Sequence, residues 1–406
     1  MYILWNKVTP DNHWILQCSE QEVINIKSSK NDYQYNAILK EIKHLRGMSD
    51  FIIDRRNSNR YRIMVKESVG NTAYCFSTPI YNIKTKTLVQ TNFTTNKTGA
   101  VFKGTNGLIS VNQNHCIFEN NDGRCTITMS EVPEIYKKDT ASKSNVIITP
   151  TLCGLRFTVK GNRFQLQLRS EAKQDSIRSN SLCFSVMKEK FKPFLSVASL
   201  YARDEKNKVL PVEIKYLDKG NQTYDISLFH SGKNGSLIFE VNLYEPKLFQ
   251  DTTVESAHPD VNNAYGAVGF IGKTKEFGEQ WLYSRPDFSK IPDIVSERIE
   301  KVLLHIPILN GSSENVDVYI PEKRFCSFGS TWNKKINASP KITVSNNNCR
   351  YLTVDVTTIF VNRTDRTLVY NEGLILKKPK GKNDFIAIST GDCYSAPQIL
   401  EIRLKN

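Results

Sequence analysis

The side chains in this sequence that could do chemistry are aromatic rings and basic groups in polar loops. Trp332 is followed closely by Lys334 and Lys335, and Tyr265 lies in the polar stretch HPDVNNAYG. An exposed ring is a platform for the apolar face of a sugar, and Lys or Arg pairs with a carboxylate. The binding residues that this predicts are Tyr265, Tyr283, Arg285, Trp332, Lys334 and Lys335, with Trp281 and Tyr394 as further candidates. For Trp281 and Trp332 the alternative is a place in a β-sandwich core.

Known catalytic motifs do not occur in the sequence. HExxH, GxSxG and GxxxxGK[ST] are missing, and so is an EF-hand loop. The glycine-rich run GAVGFIG has no strand-loop-helix pattern around it, so it predicts a strand with close packing. The six histidines are scattered along the chain, and spacing alone does not assemble an acid-base pair. We therefore predict no catalytic residue, and we expect that the protein is not an enzyme. An enzyme that degrades an acidic polysaccharide stays an alternative.

Neither a metal site nor a cofactor site is expected. Asp251, Asp260, Asn262 and Asn263 could supply oxygen ligands to Ca²⁺, but side chains that cap a loop explain the same pattern. The nine cysteines include no CxxC pair and no Cys/His cluster at zinc spacing. Several lie in apolar strand patterns such as AYCF and HCIF. These patterns predict reduced, buried thiols.

The elements that must position these residues are β-strands. Alternating runs such as CTITM and RFTVK are separated by turn signals such as NDGR, KGNR and DKGN, which is typical of antiparallel hairpins. The exception is a short N-terminal helix, which is predicted because apolar side chains recur at helical spacing at Tyr35, Ile38, Leu39, Ile42 and Leu45. The fold class that follows is all-β, with tandem antiparallel β-sandwiches, a C-terminal jelly roll and that one helix.

Three domains are predicted from these patterns. Residues 1–57 form a helix-containing segment, and residues 58–245 form a β-sandwich region. The polar tract YKKDTASKSN at 136–145 is a possible break between two subdomains of that region. Residues 246–406 form the jelly-roll domain. Because the junction around Pro246 is short, we expect the C-terminal module to be docked rather than tethered.

A resemblance to a known family comes from the C-terminal part of the chain. The motifs that carry it are QDTTVES, HPDVNNAYGAVGFIG, WLYSRPDFSKIP, RIEKVLLHIPI, GLILK and PQILEI, in that order. Together they resemble the DNRLRE domain over residues 247–406. The sequence departs from that family's pattern in WLYSRPDFSKIP, where Arg285, Pro286 and Asp287 interrupt the usual Arg-hydrophobic-Phe run. The resemblance implies a non-catalytic jelly-roll module of extracellular bacterial and archaeal proteins, some of which accompany polysaccharide lyases and bind acidic glycans.

Charge favours anionic partners. The formal net charge is +14, and residues 247–406 hold 21 Lys and Arg against 18 Asp and Glu, which leaves most of the positive charge in the front part. Such an excess attracts polyanions without specificity, although the alternative is a set of solvated lysines that maintain solubility. KKPKGK at 377–382 is a basic turn to which both interpretations apply: it could attract a polyanion, or its lysines could simply be solvated. Specific nucleic-acid binding is not expected, and neither is membrane insertion, because no run of 18 apolar residues occurs.

The function that we expect is binding or adhesion outside the cell or at its surface. The ligand would be an anionic glycan or cell-wall polymer recognised by a carbohydrate-binding-like jelly roll. The N-terminal stretch MYILWNKVTPDNHW lacks the pattern of a conventional signal peptide. For that reason a structural or receptor-binding component of a phage tail, which assembles with other virion subunits and stays in the cytoplasm before release, is an alternative.

Overall fold

The structure of the protein is a computed structural model. It describes residues 4–8, 14–17, 23–27, 42–43, 45–46, 52–54, 61–67, 70–77, 88–92, 100–104, 107–135, 144–150, 154–177, 181–186, 192–244, 247–311, 316–344, 350–369, 372–378, 385–394 and 396–405. The chain divides into two compact units. Unit 1 comprises Met1–Ala37 and Thr87–Glu245, and unit 2 comprises Ile38–Lys86 and Pro246–Asn406.

Unit 1 is built from β-strands. Numbered in chain order, its strands are β1 (Leu4–Val8), β2 (Trp14–Gln17), β3 (Val23–Lys27), β7 (Leu88–Asn92), β8 (Ala100–Gly104), β9 (Gly107–Asn112), β10 (His115–Asn120), β11 (Gly123–Met129), β12 (Glu134–Ile135), β13 (Val146–Pro150), β14 (Gly154–Lys160), β15 (Arg163–Ser170), β16 (Lys173–Ile177), β17 (Ser181–Val186), β18 (Lys192–Arg203), β19 (Val209–Leu210), β20 (Glu213–Asp218), β21 (Thr223–Phe229) and β22 (Ser236–Leu243).

Unit 2 contains the remaining strands and the short helices. The strands are β4 (Ile52–Asp54), β5 (Arg62–Glu67), β6 (Gly70–Phe76), β23 (Phe249–Glu255), β24 (Val268–Thr274), β25 (Gly278–Pro286), β26 (Ile299–Asn310), β27 (Val316–Pro321), β28 (Ala338–Val344), β29 (Tyr351–Asp355), β30 (Leu374–Lys377), β31 (Phe385–Ser389) and β32 (Ile399–Leu404). The helices are the 3₁₀ turns η1 (Phe288–Lys290) and η2 (Trp332–Lys334) and the single-turn α-helices α1 (Pro292–Val295) and α2 (Thr357–Phe360).

Two large sheets of unit 1 share one apolar core. Among the described residues their strand orders are β20-β21-β15-β11-β10-β9-β8-β7-β3 and β12-β13-β14-β22-β18-β17-β16. Aromatic rings join the two sheets: Phe164 of β15 lies 5.8 Å from Phe239 of β22, and Phe184 of β17 lies 5.3 Å from Tyr224 of β21. Side chains of both sheets belong to a single buried cluster. The core therefore lies between the sheets, as burial of one face of each requires.

Sequence alternation explains which face of each strand is buried. In β15, RFQLQLRS alternates strictly between exposed and buried residues. Because successive side chains of a strand point to opposite faces, this strand puts Phe164, Leu166 and Leu168 in the core and its polar residues in solvent. Gly235 closes the turn before β22 with φ +104°, where a Cβ would lie 1.8 Å from the Arg203 carbonyl oxygen, so only glycine fits there.

Unit 2 is organised around β26, which changes partners along its length. Its first part pairs with β32 and β29, and its last residues pair with β31. On one side β32 pairs with β6, which continues to β5 and β4; on the other side β31 leads to β24, β25, β30, β27 and β28. Strands on both sides of β26 contribute to one core cluster. β23 adds to this arrangement by pairing with β25.

Buried charges accompany the apolar core of unit 2. The Glu401 carboxylate, on a side chain only 1% exposed, accepts hydrogen bonds from Arg46 Nη1 at 2.7 Å and Arg403 Nε at 2.9 Å. It also lies 3.0 Å from His305 Nε2, and His305 Nδ1 lies 2.9 Å from Thr353 Oγ1. Although burial opposes ionisation, these partners together lower the pKa of Glu401. The network joins β32, β26 and the helical residues near Arg46.

The all-β fold class is confirmed, and the arrangement as tandem sandwiches with a jelly roll stays a prediction. Of the predicted N-terminal helix the structure describes residues 42, 43, 45 and 46, which are helical, with Ile42 fully buried; the rest lies outside the described residues. The same segment of sequence also contains β1, β2 and β3, which sequence analysis missed. Most of the predicted break at 136–145 lies outside the described residues.

Strand pairing divides the chain differently from the three predicted domains. Residues 58–86 were assigned to the front β region, but β5 and β6 pair within unit 2, with β6 hydrogen-bonded to β32. The boundary at Glu245 and Pro246 coincides with the division between the units. In the described part of the chain, no helix has the length and apolar character needed to cross a membrane.

The thiols that the structure describes are free. Cys75, Cys116, Cys125 and Cys393 are buried, and Cys326 is exposed. In the β10-β11 hairpin Cys116 is opposite Ile127 and Cys125 is opposite Phe118, so the two cysteines do not face each other directly. Burial raises the pKa of Cys75 and of Cys116 to about 12, which keeps both in the unreactive thiol form.

Candidate functional site

The candidate site lies on the face of β25 that points away from the main core of unit 2. Leu282 belongs to that core, whereas Trp281 and Tyr283 project to the opposite face because side chains alternate along a strand. Tyr283 is fully buried there against Val254, Phe325 and Ile375. Trp281 is only partly buried and borders this second cluster. The covered part of the face thus ends at Trp281.

Two tryptophans, one tyrosine and two lysines meet at this border. The ring centroids of Trp281 and Trp332 are 5.0 Å apart. Lys335 Nζ lies 3.6 Å from the Trp332 centroid and 5.3 Å from that of Trp281. Lys377 Nζ lies 3.6 Å from the Trp281 centroid and 4.2 Å from that of Tyr319. We call Trp281, Trp332, Tyr319, Lys335 and Lys377 the aromatic-lysine patch.

Electrostatics hold the patch in a defined arrangement. Each lysine over a ring face contributes about 0.5–1 kcal/mol at a site open to solvent. Trp281 Nε1 donates to Glu279 Oε1 at 2.8 Å, which fixes the indole and leaves its ring face available to the lysines. Partial burial lowers the pKa of Lys335, and the Glu279 carboxylate acts in the opposite direction. The patch is therefore a positive surface over apolar rings.

A polar clamp holds the loop that carries Trp332. Asn262 Nδ2 donates to the carbonyl oxygens of Ser327 and of Ser330, the latter at 2.8 Å. Asn333 contributes twice: its backbone N–H donates to the Pro259 carbonyl at 3.0 Å, and its Nδ2 donates to Asp260 Oδ1 at 2.9 Å. The loop at 258–266 therefore fixes the position of η2, and with it the Trp332 ring.

The six predicted binding residues fall into two groups. Trp332 and Lys335 belong to the patch, and exposed Lys334 is adjacent to them in η2. Tyr265, Tyr283 and Arg285 are 3%, 0% and 6% exposed, so their side chains are interior in this structure. Of the two further candidates, Trp281 is in the patch and Tyr394 is buried. Tyr319 and Lys377, which also belong to the patch, were not among the predicted residues.

The four residues considered for Ca²⁺ have protein partners. Asp251 pairs with Lys247 at 3.1 Å, and Asp260 accepts from Asn333. Asn262 Oδ1 accepts from the Ala264 backbone N–H, which is the loop-capping role. Asn263 donates to the Thr253 carbonyl and to Glu255. In the portion of the chain that is described, no three His, Cys, Asp or Glu side chains form a metal-binding group.

A buried lysine near the start of β23 is shared between two carboxylates. Lys247 Nζ contacts Asp251 Oδ1, Asp392 Oδ2 and the Ala264 carbonyl, and the Gly391 N–H donates to Asp251 Oδ2. Burial raises the pKa of Asp392 to about 7; the Asp251 charge raises it too, while Lys247 lowers it. One lysine does not neutralise two buried carboxylates, so protonation of Asp392 relieves the excess negative charge.

His258 and Glu255 form a pair beside the polar clamp. His258 Nδ1 lies 2.6 Å from Glu255 Oε1, and Asn263 Nδ2 donates to the other carboxylate oxygen at 3.1 Å. The Glu255 side chain is fully buried, whereas that of His258 is 38% exposed. A histidine that a buried carboxylate orients can act as an acid or a base.

Unit 1 carries a shallow groove of about 410 Å³ with a different surface chemistry. Its polar lining residues are Thr128, Ser130, Gln165, Gln167, Asp225 and Ser227. Gln167 Nε2 donates to Asp225 Oδ1 at 3.2 Å, and Gln165 Nε2 lies 3.5 Å from Ser227 Oγ. Among the described residues, no aromatic side chain lines it. The groove offers amides and hydroxyls, without the rings and cations of the aromatic-lysine patch.

Comparison with known proteins found no relative of this chain. No family model and no curated protein matches this sequence.

Proposed function

We propose that unit 2 is a non-catalytic binding unit for an anionic glycan or cell-wall polymer, and that the aromatic-lysine patch is its binding surface. The observation that carries this proposal is the position of two lysine ammonium groups 3.6 Å from the centroids of Trp332 and Trp281. Tyr265 and Tyr283 are not part of the proposed surface, because both side chains are interior.

The chemistry of an acidic sugar matches this surface. A uronate unit has an apolar ring face, which suits a tryptophan ring, and a carboxylate, which suits an ammonium group. Because the lysines already lie over the rings, a neutral sugar would have to compete with them, whereas an anionic sugar recruits them. The patch therefore favours charged over neutral glycans.

The wider setting of the proposal is a protein that acts outside the cell or at its surface. The resemblance of residues 247–406 to the DNRLRE domain supports that setting, and so does the net charge of +14, which attracts polyanions over a distance of about 8–10 Å at physiological ionic strength. Partners of this kind are polysaccharides or cell-wall polymers, and adhesion is the role that follows.

A polyuronate oligosaccharide is the probe that tests the proposal. Titration calorimetry on the full chain is expected to give binding that weakens as salt is raised, because the contacts are between opposite charges. Trp332→Ala and Lys335→Gln are each expected to weaken binding by about tenfold, the effect of about 1.4 kcal/mol. A neutral glucan of equal length is expected to bind more weakly.

Lys215→Gln is the matched control. Lys215 Nζ also lies over an aromatic ring, 4.7 Å from the Phe229 centroid, but it belongs to unit 1. The control variant should retain wild-type affinity for the polyuronate. The proposal fails if Trp332→Ala and Lys335→Gln bind like the wild type, or if Lys215→Gln weakens binding as much as they do.

The His258 and Glu255 pair favours one catalytic alternative. An exposed histidine oriented by a buried carboxylate could remove a proton from a uronate substrate, which is the first step of an elimination. Incubation of polyuronate with the full chain, followed by measurement of chain length, tests this alternative. Shortening that His258→Gln abolishes would replace the non-catalytic proposal; an unchanged chain length would exclude a polyuronate-degrading activity.

A further inference from the structure

Arg285 is a buried cation without an acidic hydrogen-bond partner among the described residues. Its side chain is 6% exposed, and Nη2 donates to the neutral Gln250 Oε1 on the opposing strand β23. Its Nε is buried and makes no hydrogen bond. A guanidinium that is removed from water normally has a carboxylate or another anion as its partner, because burial of an unpaired charge is strongly unfavourable.

The carboxylate nearest in sequence is already used. Asp287 Oδ1 accepts from Ser289, and Asp287 Oδ2 accepts from Lys290 Nζ at 3.0 Å. Its charge acts on Arg285 only at a distance. Burial lowers the pKa of Arg285, and the positive charge of Arg324 lowers it further.

The backbone around Arg285 is arranged so that the loop can approach closely. Gly373 has φ +100°, and a Cβ there would lie 2.8 Å from Phe325 Cε1 and 2.9 Å from Arg285 Cβ. Phe325 is buried, while Arg324 and Cys326 on either side of it are exposed. Phe325 and Arg285 therefore both lie against Gly373, and Arg324 and Cys326 are the exposed neighbours of Phe325 in sequence.

We infer that Arg285 and Arg324 bind an oxyanion of the carboxylate or sulfate type. The buried Nε of Arg285 supplies a donor that is fixed in direction, and Arg324 supplies a second guanidinium from the solvent side. Without a bound anion the two guanidinium groups repel each other, and an anion that lies between them stabilises both. The site is separate from the aromatic-lysine patch, and the inference does not rest on glycan binding because free acetate and sulfate suffice to test it.

Cys326 provides a local readout of occupancy. Its thiol is free and exposed, and a thiolate formed there would interact with the positive charge of Arg285. The rate of Cys326 alkylation by neutral iodoacetamide can be followed by peptide mapping on the full chain while sodium acetate or sodium sulfate replaces sodium chloride at equal ionic strength. An anion bound beside Cys326 is expected to slow the reaction in a saturable way.

Arg324→Gln and Lys323→Gln separate a site from a general salt effect. Both substitutions remove one positive charge from exposed neighbouring positions, so neither should disturb the fold. The anion concentration needed for half-protection is expected to rise about tenfold in Arg324→Gln and to stay unchanged in Lys323→Gln. Acetate protection alone would assign a carboxylate site, and protection by both anions would assign a general oxyanion site.

Two results would overturn the inference. One is an alkylation rate in the wild type that is the same in chloride, acetate and sulfate. The other is equal protection in Arg324→Gln and the wild type, which would place the anion elsewhere. The polyuronate titration is independent of both results, because it measures the effect of Trp332 and Lys335.

Discussion

The interiors of the two units differ in what they contain. Unit 1 has stacked rings at its centre, with the Phe157 and Phe239 centroids 4.6 Å apart and their planes within 5°. Unit 2 also has an apolar core, but it buries more carboxylates: Asp251, Glu255, Asp392 and Glu401 are buried there, whereas the described part of unit 1 buries Glu240, which pairs with Arg156 at 3.2 Å. Apolar burial needs no partner, whereas each buried charge needs a partner placed by another part of the chain.

A buried ionic group does not by itself indicate a contribution to stability. Replacing buried ionic groups by apolar residues is often neutral or stabilising, so such groups are weak evidence for a stability role. In unit 2, Asp251 and Glu255 lie on β23, which pairs with β25, the strand that carries Trp281 and Arg285. We therefore expect the stability of unit 2 to depend more strongly on pH than that of unit 1, and unit 2 to respond to anions.

The largest effect is expected from the core of unit 1. Phe239→Ala removes a ring that packs on Phe157 within its own sheet and on Phe164 of the facing sheet. Loss of these contacts is expected to lower the free energy of unfolding by about 4 kcal/mol. Urea unfolding near neutral and mildly acidic pH should give the same loss, because no titrating group is involved. Leu217→Ala, at a position 58% exposed in the same unit, is the control.

A strong pH dependence of the Phe239→Ala effect would contradict the comparison. So would a loss in Leu217→Ala similar to that in Phe239→Ala. Either result would mean that the ring stack is not what stabilises unit 1.

A slightly smaller effect is expected at the charge network of unit 2. Glu401→Gln leaves Arg46, Arg403 and His305 without their common anion, and it is expected to lower the free energy of unfolding by about 3 kcal/mol. Because the pKa of Glu401 is lowered in the fold, the wild type should lose this contribution as pH falls through that pKa. Denaturant unfolding at several acidic pH values measures both effects.

Glu300→Gln is the control for that prediction, since Glu300 is exposed on β26. Its expected effect is within about 0.5 kcal/mol. If Glu401→Gln unfolds like Glu300→Gln, the buried network contributes nothing to stability, and the contrast between the units disappears.

The smallest effect, and the most specific, is expected at Asp392. Its pKa is raised from 3.8 to about 7 by burial, with Asp251 adding to the rise, so the folded state holds a proton that the unfolded state releases. Stability should therefore fall as pH rises from about 4 through about 7. Asp392→Asn cannot ionise, and it should lose less stability than the wild type over this range. Unfolding midpoints across the range provide the measurement.

Asp365→Asn is suited as the reference for Asp392. Hydrogen bonds from Thr367 lower the pKa of Asp365, so stability in Asp365→Asn should change with pH as in the wild type between about pH 4 and pH 7, and the two should diverge only as pH falls further. A wild-type stability that rises between about pH 4 and pH 7, with no change in Asp392→Asn, would mean that Lys247 keeps Asp392 ionised throughout.

Much of the strand content was predictable from local pattern. Strict alternation in RFQLQLRS and turn signals such as NDGR follow from nearest neighbours, and the corresponding strands β15, β10 and β11 are present. β1 and β3 were missed because LWNKV and VINIK are only five residues each, and a run that short does not separate a strand from other apolar segments. The pairing of β6 with β32 could not be predicted either, because nothing local in GNTAYCF specifies a partner more than 300 residues away.

The candidate site was predictable in part. Trp332 and Lys335 were found because they are close in sequence and lie in a polar loop. Tyr319 and Lys377 come from β27 and β30, and only the pairing of those strands brings them to Trp281. Tyr265 was expected to be exposed because its loop is polar, but the ring packs 5.4 Å from that of Phe328 and is buried. Loop composition predicts the accessibility of the backbone better than that of each ring.

The pairing of β6 with β32 has a consequence for how the protein is made. During synthesis on the ribosome, β4, β5 and β6 emerge early, and the whole of Thr87–Glu245 follows before β32 is translated. The sheet of unit 2 therefore cannot be completed until β32 is synthesised, and until then the edge of β6 that pairs with β32 has no partner strand. Exposed strand edges are prone to aggregate, and contacts between distant residues form slowly. Expression at low temperature or with a chaperone that shields β edges should raise the soluble yield.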